Sequence, residues 1–192
     1  AALLEAMQER QVTIDGVSRR LSPAFTVLAT QNPVEFEGTY PLPEAQLDRF
    51  LLKVRVDYPA EDAEAAILDR YVDGFDAERT ETFPAVTGLG EGALETLRRH
   101  VAAGHVEPPV RRDITRIVRA TRDHPTFGLG ASPRAGVALF LATRAQAVLE
   151  GRDFATPDDV KAMVLPVLRH RVLLTPEAEV EGRGTDAWVL DV

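Results

Sequence analysis

Two polar side chains near the start of the chain are placed where they can act on a phosphoryl group. Asn32 follows the apolar run Phe25–Thr30, and Arg49 ends the short predicted helix Glu44–Arg49, just before a second apolar run, Phe50–Val56. An amide at a strand end can orient an attacking water without adding negative charge. A guanidinium at a subunit edge can neutralise charge on a phosphoryl group being transferred in a neighbouring subunit.

Each of these residues also has a purely structural interpretation. Asn32 precedes Pro33 and is a good turn former there. Arg49 can form an ion pair with Asp48 or Glu44. Both interpretations stay open on these residues alone.

The sequence lacks a phosphate loop, G-x-x-x-x-G-K-[ST], whose amides and lysine surround the β- and γ-phosphates of a nucleotide. Its two lysines are Lys53, which follows Leu52, and Lys161, which follows Val160. An Asp-Glu dipeptide, which could hold magnesium at a strand end, is also absent from the sequence. We therefore expect that these 192 residues by themselves do not bind nucleotide tightly and do not hydrolyse it.

Composition narrows the class of protein. The net charge of −8 argues against nucleic acid as the main partner, and the absence of cysteine excludes disulfides and thiolate metal sites. No apolar run approaches the ~20 residues needed to span a bilayer. The chain opens in a helical pattern without methionine or a cap and closes in an apolar run, so we expect it to be truncated at both ends.

The pattern predicts an α/β piece followed by a helical one. A helix over Ala1–Arg10 precedes a hairpin over Gln11–Leu21, whose Asp15-Gly16 pair is typical of a two-residue turn. The apolar runs 25–30 and 50–56 are predicted to be strands of a parallel sheet covered on both faces. Further helices are predicted over 60–72, 91–103, 109–122, 132–150 and 156–168, with a linker over 73–90. The predicted division is thus 1–59, 60–90 and 91–192.

Arg134, near the predicted start of the helix over 132–150, is a further candidate site residue. Ser132 is predicted to cap this helix and Pro133 to occupy its first position, which places Arg134 in the first turn. A cation is mildly unfavourable there because of the helix dipole, so a ligand-directed role gains weight against that of a plain surface arginine. Thr156 and Pro157 open the last predicted helix in the same way.

Other candidate sites are weak. The four histidines, His100, His105, His124 and His170, give no pair on adjacent helical turns, so no metal site is predicted. His170 is predicted near a helix C-terminus, where a cation is tolerated. Ser132 lacks the G-x-S-x-G context of a hydrolase nucleophile.

Five motifs, in order and covering nearly the whole chain, resemble the MoxR family of AAA+ ATPases. They are Leu3-Leu-Glu-Ala-Met-Gln-Glu-Arg-Gln-Val-Thr-Ile-Asp-Gly16, Ala29-Thr-Gln-Asn-Pro33, Leu42-Pro-Glu-Ala-Gln-Leu-Asp-Arg-Phe50, Gly130-Ala-Ser-Pro-Arg-Ala135 and Leu168-Arg-His-Arg-Val172. The resemblance implies an α/β fold: the C-terminal half of a P-loop AAA+ parallel-sheet core, followed by an all-α lid domain. The phosphate loop and the Asp-Glu motif would lie in a missing N-terminal half.

The resemblance also implies roles for single residues. Asn32 matches the family's sensor 1, Arg49 its arginine finger and Arg134 its sensor 2. The hairpin matches the pre-sensor-1 insertion, which makes Arg19 and Arg20 candidate substrate contacts, although a charged, solvated hairpin edge explains them equally well. Whether Arg134 serves its own subunit or a neighbour stays open.

As a MoxR-type protein, the chain would be part of a cytoplasmic ATPase that hydrolyses ATP with Mg²⁺. Such proteins resemble ring-forming chaperones, here expected as a hexamer, that mature or assemble partner complexes, often with a von Willebrand A-domain protein. Two other classes stay open: a non-catalytic, truncated protein-binding module, and a chelatase- or helicase-like AAA+ relative that shares the hairpin and sensors.

Overall fold

The computed structural model describes residues 2–31, 43–90 and 92–192. The first part of the chain forms helix α1 (Ala2–Glu9), strands β1 (Gln11–Ile14) and β2 (Val17–Arg20), and helices α2 (Glu44–Leu47) and α3 (Glu61–Val72). The second part forms α4 (Ala93–Ala103), α5 (Pro108–Asp123), β3 (Phe127–Leu129), α6 (Pro133–Leu149), α7 (Pro157–Leu168), β4 (Leu173–Leu174), α8 (Pro176–Val180) and α9 (Thr185–Leu190).

The chain divides into two compact units. One comprises Ala1–Lys53 together with Leu94–Val192, and the other is Val54–Ala93. The smaller unit holds α3, which has no buried residue, and a 3₁₀ turn at Thr80–Thr82. The predicted division at 59 and 90 stays a prediction.

The predicted hairpin is confirmed. Strands β1 and β2 pair antiparallel with Gln11 opposite Arg20 and Ile14 opposite Val17. Asp15 and Gly16 both have positive φ, 50° and 75°, as a type I′ turn requires.

The core lies in the helical part and is built on α5, α6 and α7. Helix α5 buries one stripe at helical spacing, as its sequence period predicts. Helix α6 is buried largely through alanines, which let neighbouring backbones approach closely, and it packs most extensively on α7. The core includes Val110, Ile114, Val118, Ala135, Leu139, Ala142, Val160, Val164, Val167 and Leu168.

The two predicted N-caps differ in outcome. Thr156 caps α7 in a capping box: its side chain accepts from the backbone N–H of Asp159, and its own backbone N–H donates to Asp159 Oδ2 at 2.7 Å. The Thr156 hydroxyl also donates to Asp159 Oδ2, at 2.9 Å. The predicted cap by Ser132 is wrong, because this side chain makes no capping hydrogen bond to α6. Its hydroxyl donates to Asp48 Oδ2 instead, at 3.3 Å.

The two predicted strands are also corrected. Residues 25–30 and 50–56 carry no strand, and Leu28, Val54 and Val56 are largely exposed. A strand forms only where a hydrogen-bonded neighbour exists, and no described segment pairs with either run. The only sheet pairs found among the described residues are β1–β2 and β3–β4.

Short elements near the end of the chain were not predicted. Strands β3 and β4 pair antiparallel across 43 residues or more, and α8 and α9 have five and six residues. In the described part of the chain, no helix is both long and apolar enough to cross a bilayer.

Candidate functional site

The candidate site begins where α2 ends. Helix α2 stops at Leu47, so Asp48 and Arg49 lie in the turn that follows it, and Phe50 leads into irregular backbone. The main chain here is fastened to the helical part, because the Lys53 N–H donates to Pro166 O at 2.8 Å. This places the turn against the end of α7.

Arg171 is the principal anchor of this turn. Its side chain is 2% exposed, and its Nε donates to Asp48 Oδ1 at 2.8 Å. Its two terminal nitrogens donate to main-chain carbonyls, with Leu51 O and Asp48 O each at 3.1 Å, and Phe50 O and Val167 O as further acceptors. One guanidinium therefore uses its whole donor fork to hold 48–51 against the end of α7.

Two side chains from the start of α6 converge on the same carboxylate. Arg134 Nη1 lies 3.8 Å from Asp48 Oδ2, and the Ser132 hydroxyl donates to that oxygen at 3.3 Å. The Arg134 side chain is 56% exposed, so this ion pair is loose and solvated. Burial lowers the pKa of Arg171 most, its bond to Asp48 opposes this, and the charge of Arg134 lowers it further. The two guanidinium groups thus repel each other across one carboxylate.

Arg49 is not paired with that carboxylate. Its Nε and Nη1 are buried and have no hydrogen-bond partner, and the contacts of Asp48 go to Arg171, Arg134 and Ser132. The structural alternative of an Asp48–Arg49 ion pair is therefore not seen. Arg134 and Arg171 converge on Asp48, which Arg49 follows in the chain. These three arginines and Asp48, called the guanidinium cluster below, carry more positive than negative charge, and guanidinium groups are suited to binding an anion.

His170 lies beside this cluster but is neutral. Its Nε2 lies 3.0 Å from Phe50 O, and burial, chiefly, lowers its pKa to about 4. The prediction that His170 lies near a helix C-terminus is confirmed, since α7 ends at Leu168, but the ring is neutral there because desolvation outweighs the helix dipole.

The remaining predicted site residues are Asn32, Arg19 and Arg20, and the structure describes only the two arginines. Asn32 lies outside the described residues. Arg19 and Arg20 lie on β2, where they are exposed and face Val12 and Gln11 across the hairpin. Among the described residues, no group of three or more His, Asp or Glu side chains is arranged to hold a metal ion.

Sequence reasoning missed Asp48 and Arg171 as parts of one site. They are 123 residues apart, and no local period connects them. The only signal in the sequence was that each residue falls inside a family-like motif. Asp48 lies in the motif over 42–50, and Arg171 lies in the motif over 168–172.

Comparison with known proteins agrees with this architecture. The model for the ATPase family associated with various cellular activities (AAA) matches residues 1–52, and the AAA lid domain model matches residues 119–191. The Bacillus subtilis (strain 168) protein YeaC is 42% identical over the whole chain, which covers 58% of YeaC. Chaperone MoxR1 of Mycobacterium tuberculosis is 40% identical over 93% of the chain and 48% of its own length. Protein MoxR of Paracoccus denitrificans is 34% identical over 93% of the chain and 57% of its own length.

A solved structure agrees as well. A candidate ATPase from Cytophaga hutchinsonii superposes with a TM-score of 0.85 at 34% identity, over 98% of this chain and 58% of that one. The chain thus spans about half the length of the proteins it matches, and its mixed, helix-rich α/β architecture is that of the C-terminal part of an AAA+ core with a helical lid. The chain corresponds to the C-terminal portion of a MoxR-family AAA+ ATPase.

Proposed function

We propose that this chain supplies the arginine side of an ATP-hydrolysis site in a ring-forming, chaperone-like ATPase that matures or assembles partner complexes. The observation that carries the proposal is the guanidinium cluster, in which Arg134 reaches Asp48 from α6 and the next residue, Arg49, has two buried side-chain nitrogens without an acceptor. Arg49 would act as the arginine finger and Arg134 as sensor 2.

Arg49 is poised for an anionic ligand. A buried guanidinium nitrogen without an acceptor is costly, and a phosphate oxygen is a good acceptor for it. Nε and Nη1 are covered in this position, so the side chain must swing out to meet a ligand. No hydrogen bond to either of these two nitrogens has to break when it does so.

Arg134 is poised in a different way. It is half-exposed, its contact with Asp48 is 3.8 Å long, and it stands in the first turn of a 17-residue helix. Helix N-termini attract anions through their free N–H groups and the helix dipole. A phosphate is therefore a stronger partner for Arg134 than the carboxylate it now contacts.

The residues present fit ATP only in part. They supply cations for its terminal phosphate, whereas the sequence contains no loop that could surround the polyphosphate. The phosphate loop and the ligands of Mg²⁺ would come from sequence outside these 192 residues, and the chain alone would be inactive. ATP, when bound there, supplies the phosphoryl group that is transferred to water, with Asn32 orienting that water.

Similarity to a chaperone and the hairpin support the partner-directed role. One relative is named a chaperone, and the hairpin presents Arg19 and Arg20 fully to solvent, where a client could contact them. A hexameric ring with a von Willebrand A-domain partner is the assembly we propose.

The decisive experiment replaces Arg49 by Ala in the full-length protein. ATP turnover should fall by roughly 10³-fold, because a finger arginine acts mainly on the transition state, while binding of a fluorescent ATP analogue is retained. Arg116→Ala is the matched control, since Arg116 is 77% exposed and its one ion-pair partner among the described residues is Asp113 on its own helix. Turnover of Arg49→Ala equal to that of the control would refute the assignment.

A further inference from the structure

We propose that a groove between α5 and α6 is a docking site for an acidic, amphipathic helix of a partner protein. The groove has a volume of about 470 Å³, and its described lining comes from these two helices. It is defined here by a rim of Arg111, Arg119 and Arg122, a floor of Ile114 and Val118, and a wall from Pro133 to Phe140. The proposal does not depend on ATP hydrolysis.

The rim is a row of unpaired positive charge. Arg111, Thr115, Arg119 and Arg122 follow one another at spacings of four, four and three residues, so they lie on one face of α5. Arg111 and Arg119 form no side-chain hydrogen bond or ion pair with any described residue, and Arg122 donates its Nε to Ala131 O at 2.7 Å. The described lining includes no carboxylate.

This charge is exceptional for the chain. Helix α5 carries five arginines against two aspartates, whereas the whole sequence has a net charge of −8. On an otherwise acidic protein, this cationic strip is a surface that attracts an acidic partner. The partner segment must therefore carry carboxylates along one edge.

The floor and wall give the apolar half of the recognition. Ile114 and Val118 are buried beneath the groove, while Val137 is 59% exposed and Phe140 lines the wall one turn further on. A nucleic-acid backbone would meet the rim but would leave this apolar surface uncovered. An amphipathic helix covers both, with apolar side chains at i, i+3, i+4 and i+7 in the groove and acidic ones towards the arginines.

The length and depth of the groove suit a helix. From Arg111 to Arg122 the rim runs about 16 Å, or three helical turns. The wall contains Gly136 inside α6, a residue that costs a helix interior about 1 kcal/mol relative to Ala. A Cβ at Gly136 would meet only Val118 Cγ2, at 3.9 Å, so the backbone tolerates a side chain there. Glycine at this position keeps the groove open.

The test uses the full-length protein and a fluorescein-labelled 16-residue peptide with Leu at i, i+3, i+4 and i+7 and Glu along one adjoining edge. We expect this peptide to bind, and its Glu-to-Lys counterpart to bind at least about tenfold more weakly. The double variant Arg111→Glu/Arg119→Glu should weaken binding of the acidic peptide at least about tenfold, because two attractive pairs become repulsive. Gly136→Leu, which fills the groove without changing its charge, should do the same. Arg116→Glu, outside the lining, should bind as the unaltered protein does.

Three outcomes would overturn the proposal. The first is equal binding of the acidic and the lysine peptides, or no binding of either. The second is unchanged affinity in both groove variants when circular dichroism shows them to be folded. The third is binding of a 20-nucleotide single strand that is lost in Arg111→Glu/Arg119→Glu but kept in Gly136→Leu, which would assign the rim to nucleic acid. Arg49→Ala should leave peptide binding intact, so failure of the ATPase proposal is distinguishable from failure of this one.

Discussion

Asp48→Asn tests whether one carboxylate holds the candidate site together. The change keeps the size of the side chain and removes its charge, so Arg171, whose side chain is 2% exposed, loses its only described ionic partner. Removing one member of a buried ion pair destabilises proteins by about 3–5 kcal/mol. Arg171 keeps the carbonyl oxygens of residues 48, 50, 51 and 167 as acceptors, which places the expected loss near the lower end, at about 3 kcal/mol.

The assay is thermal unfolding of the full-length protein, followed by circular dichroism at pH 7.5. A loss of about 3 kcal/mol should lower the melting temperature by roughly 6–12 °C for a domain of this size. Asp113→Asn is the matched control, because its partner Arg116 is 77% exposed and their ion pair should contribute only about 0.5 kcal/mol. Arg171→Met should be costly as well, and the double variant should lose clearly less than the sum of the single ones. If the two losses add, or if Asp48→Asn melts like the control, Asp48 and Arg171 do not act as a pair and the inferred architecture of the cluster is wrong.

Two further predictions concern pH and backbone packing. Arg152, above all, holds the pKa of Asp159 down at about 2 through contacts of 2.6 and 2.7 Å, so this carboxylate should contribute about 2 kcal/mol that is present above pH 4 and lost as the pH falls towards 2. His170, with a pKa of about 4, takes up its proton in the unfolded chain first, so stability should also decline as the pH falls from about 6.5 to 4. Melting temperatures across both windows check this: His170→Gln should flatten the upper window and Asp159→Asn the lower one, and a curve unchanged in either variant contradicts the corresponding assignment. Gly130→Ala should destabilise by about 1–3 kcal/mol, because a Cβ there would lie 2.6 Å from Arg122 Cα and 2.7 Å from Thr121 O. Gly136→Ala, with its nearest neighbour at 3.9 Å, should instead raise the melting temperature, and equal effects of the two substitutions in urea or thermal unfolding would refute the difference.

The elements predicted correctly are those with a local cause. The positive φ values at Asp15 and Gly16 follow from the turn type, and the bounds of α5, Pro108–Asp123, lie within one residue of those predicted from its apolar period. The capping box at Thr156 likewise depends on residues three positions apart. Such features depend on neighbours in sequence, which a single chain displays.

The elements that were missed depend on distant partners. The sequence pattern of an apolar run such as Phe25–Thr30 predicts a strand whether or not a neighbouring strand is present to form hydrogen bonds with it. Ser132 has the residue type of an N-cap, but the carboxylate of Asp48 competes for its hydroxyl. Strands as short as Leu173–Leu174 leave too few residues for a period to appear.

The candidate site divides in the same way. Resemblance to a family singled out Arg49 and Arg134 from the types of residue around them, and no calculation from spacing would have done so. The connection of Arg134 with Asp48 and Arg171 became visible only in the structure, since Arg134 and Arg171 lie more than 80 positions from Asp48 in the sequence. Asn32 lies outside the described residues, and the roles of Arg19, Arg20, Arg49 and Arg134 stay predictions.

The segment Val54–Ala93 departs from one compact unit and rejoins the same unit forty residues later. The residue before this segment, Lys53, is held by two hydrogen bonds. Its N–H donates to Pro166 O near the end of α7, and its carbonyl oxygen accepts from Arg169. Doubling the length of a flexible loop raises the entropic free-energy cost of closing it by only about 0.6 kcal/mol. Genetic variation in length, or a grafted reporter domain, is therefore best accommodated in this stretch, where it leaves the arginine geometry undisturbed.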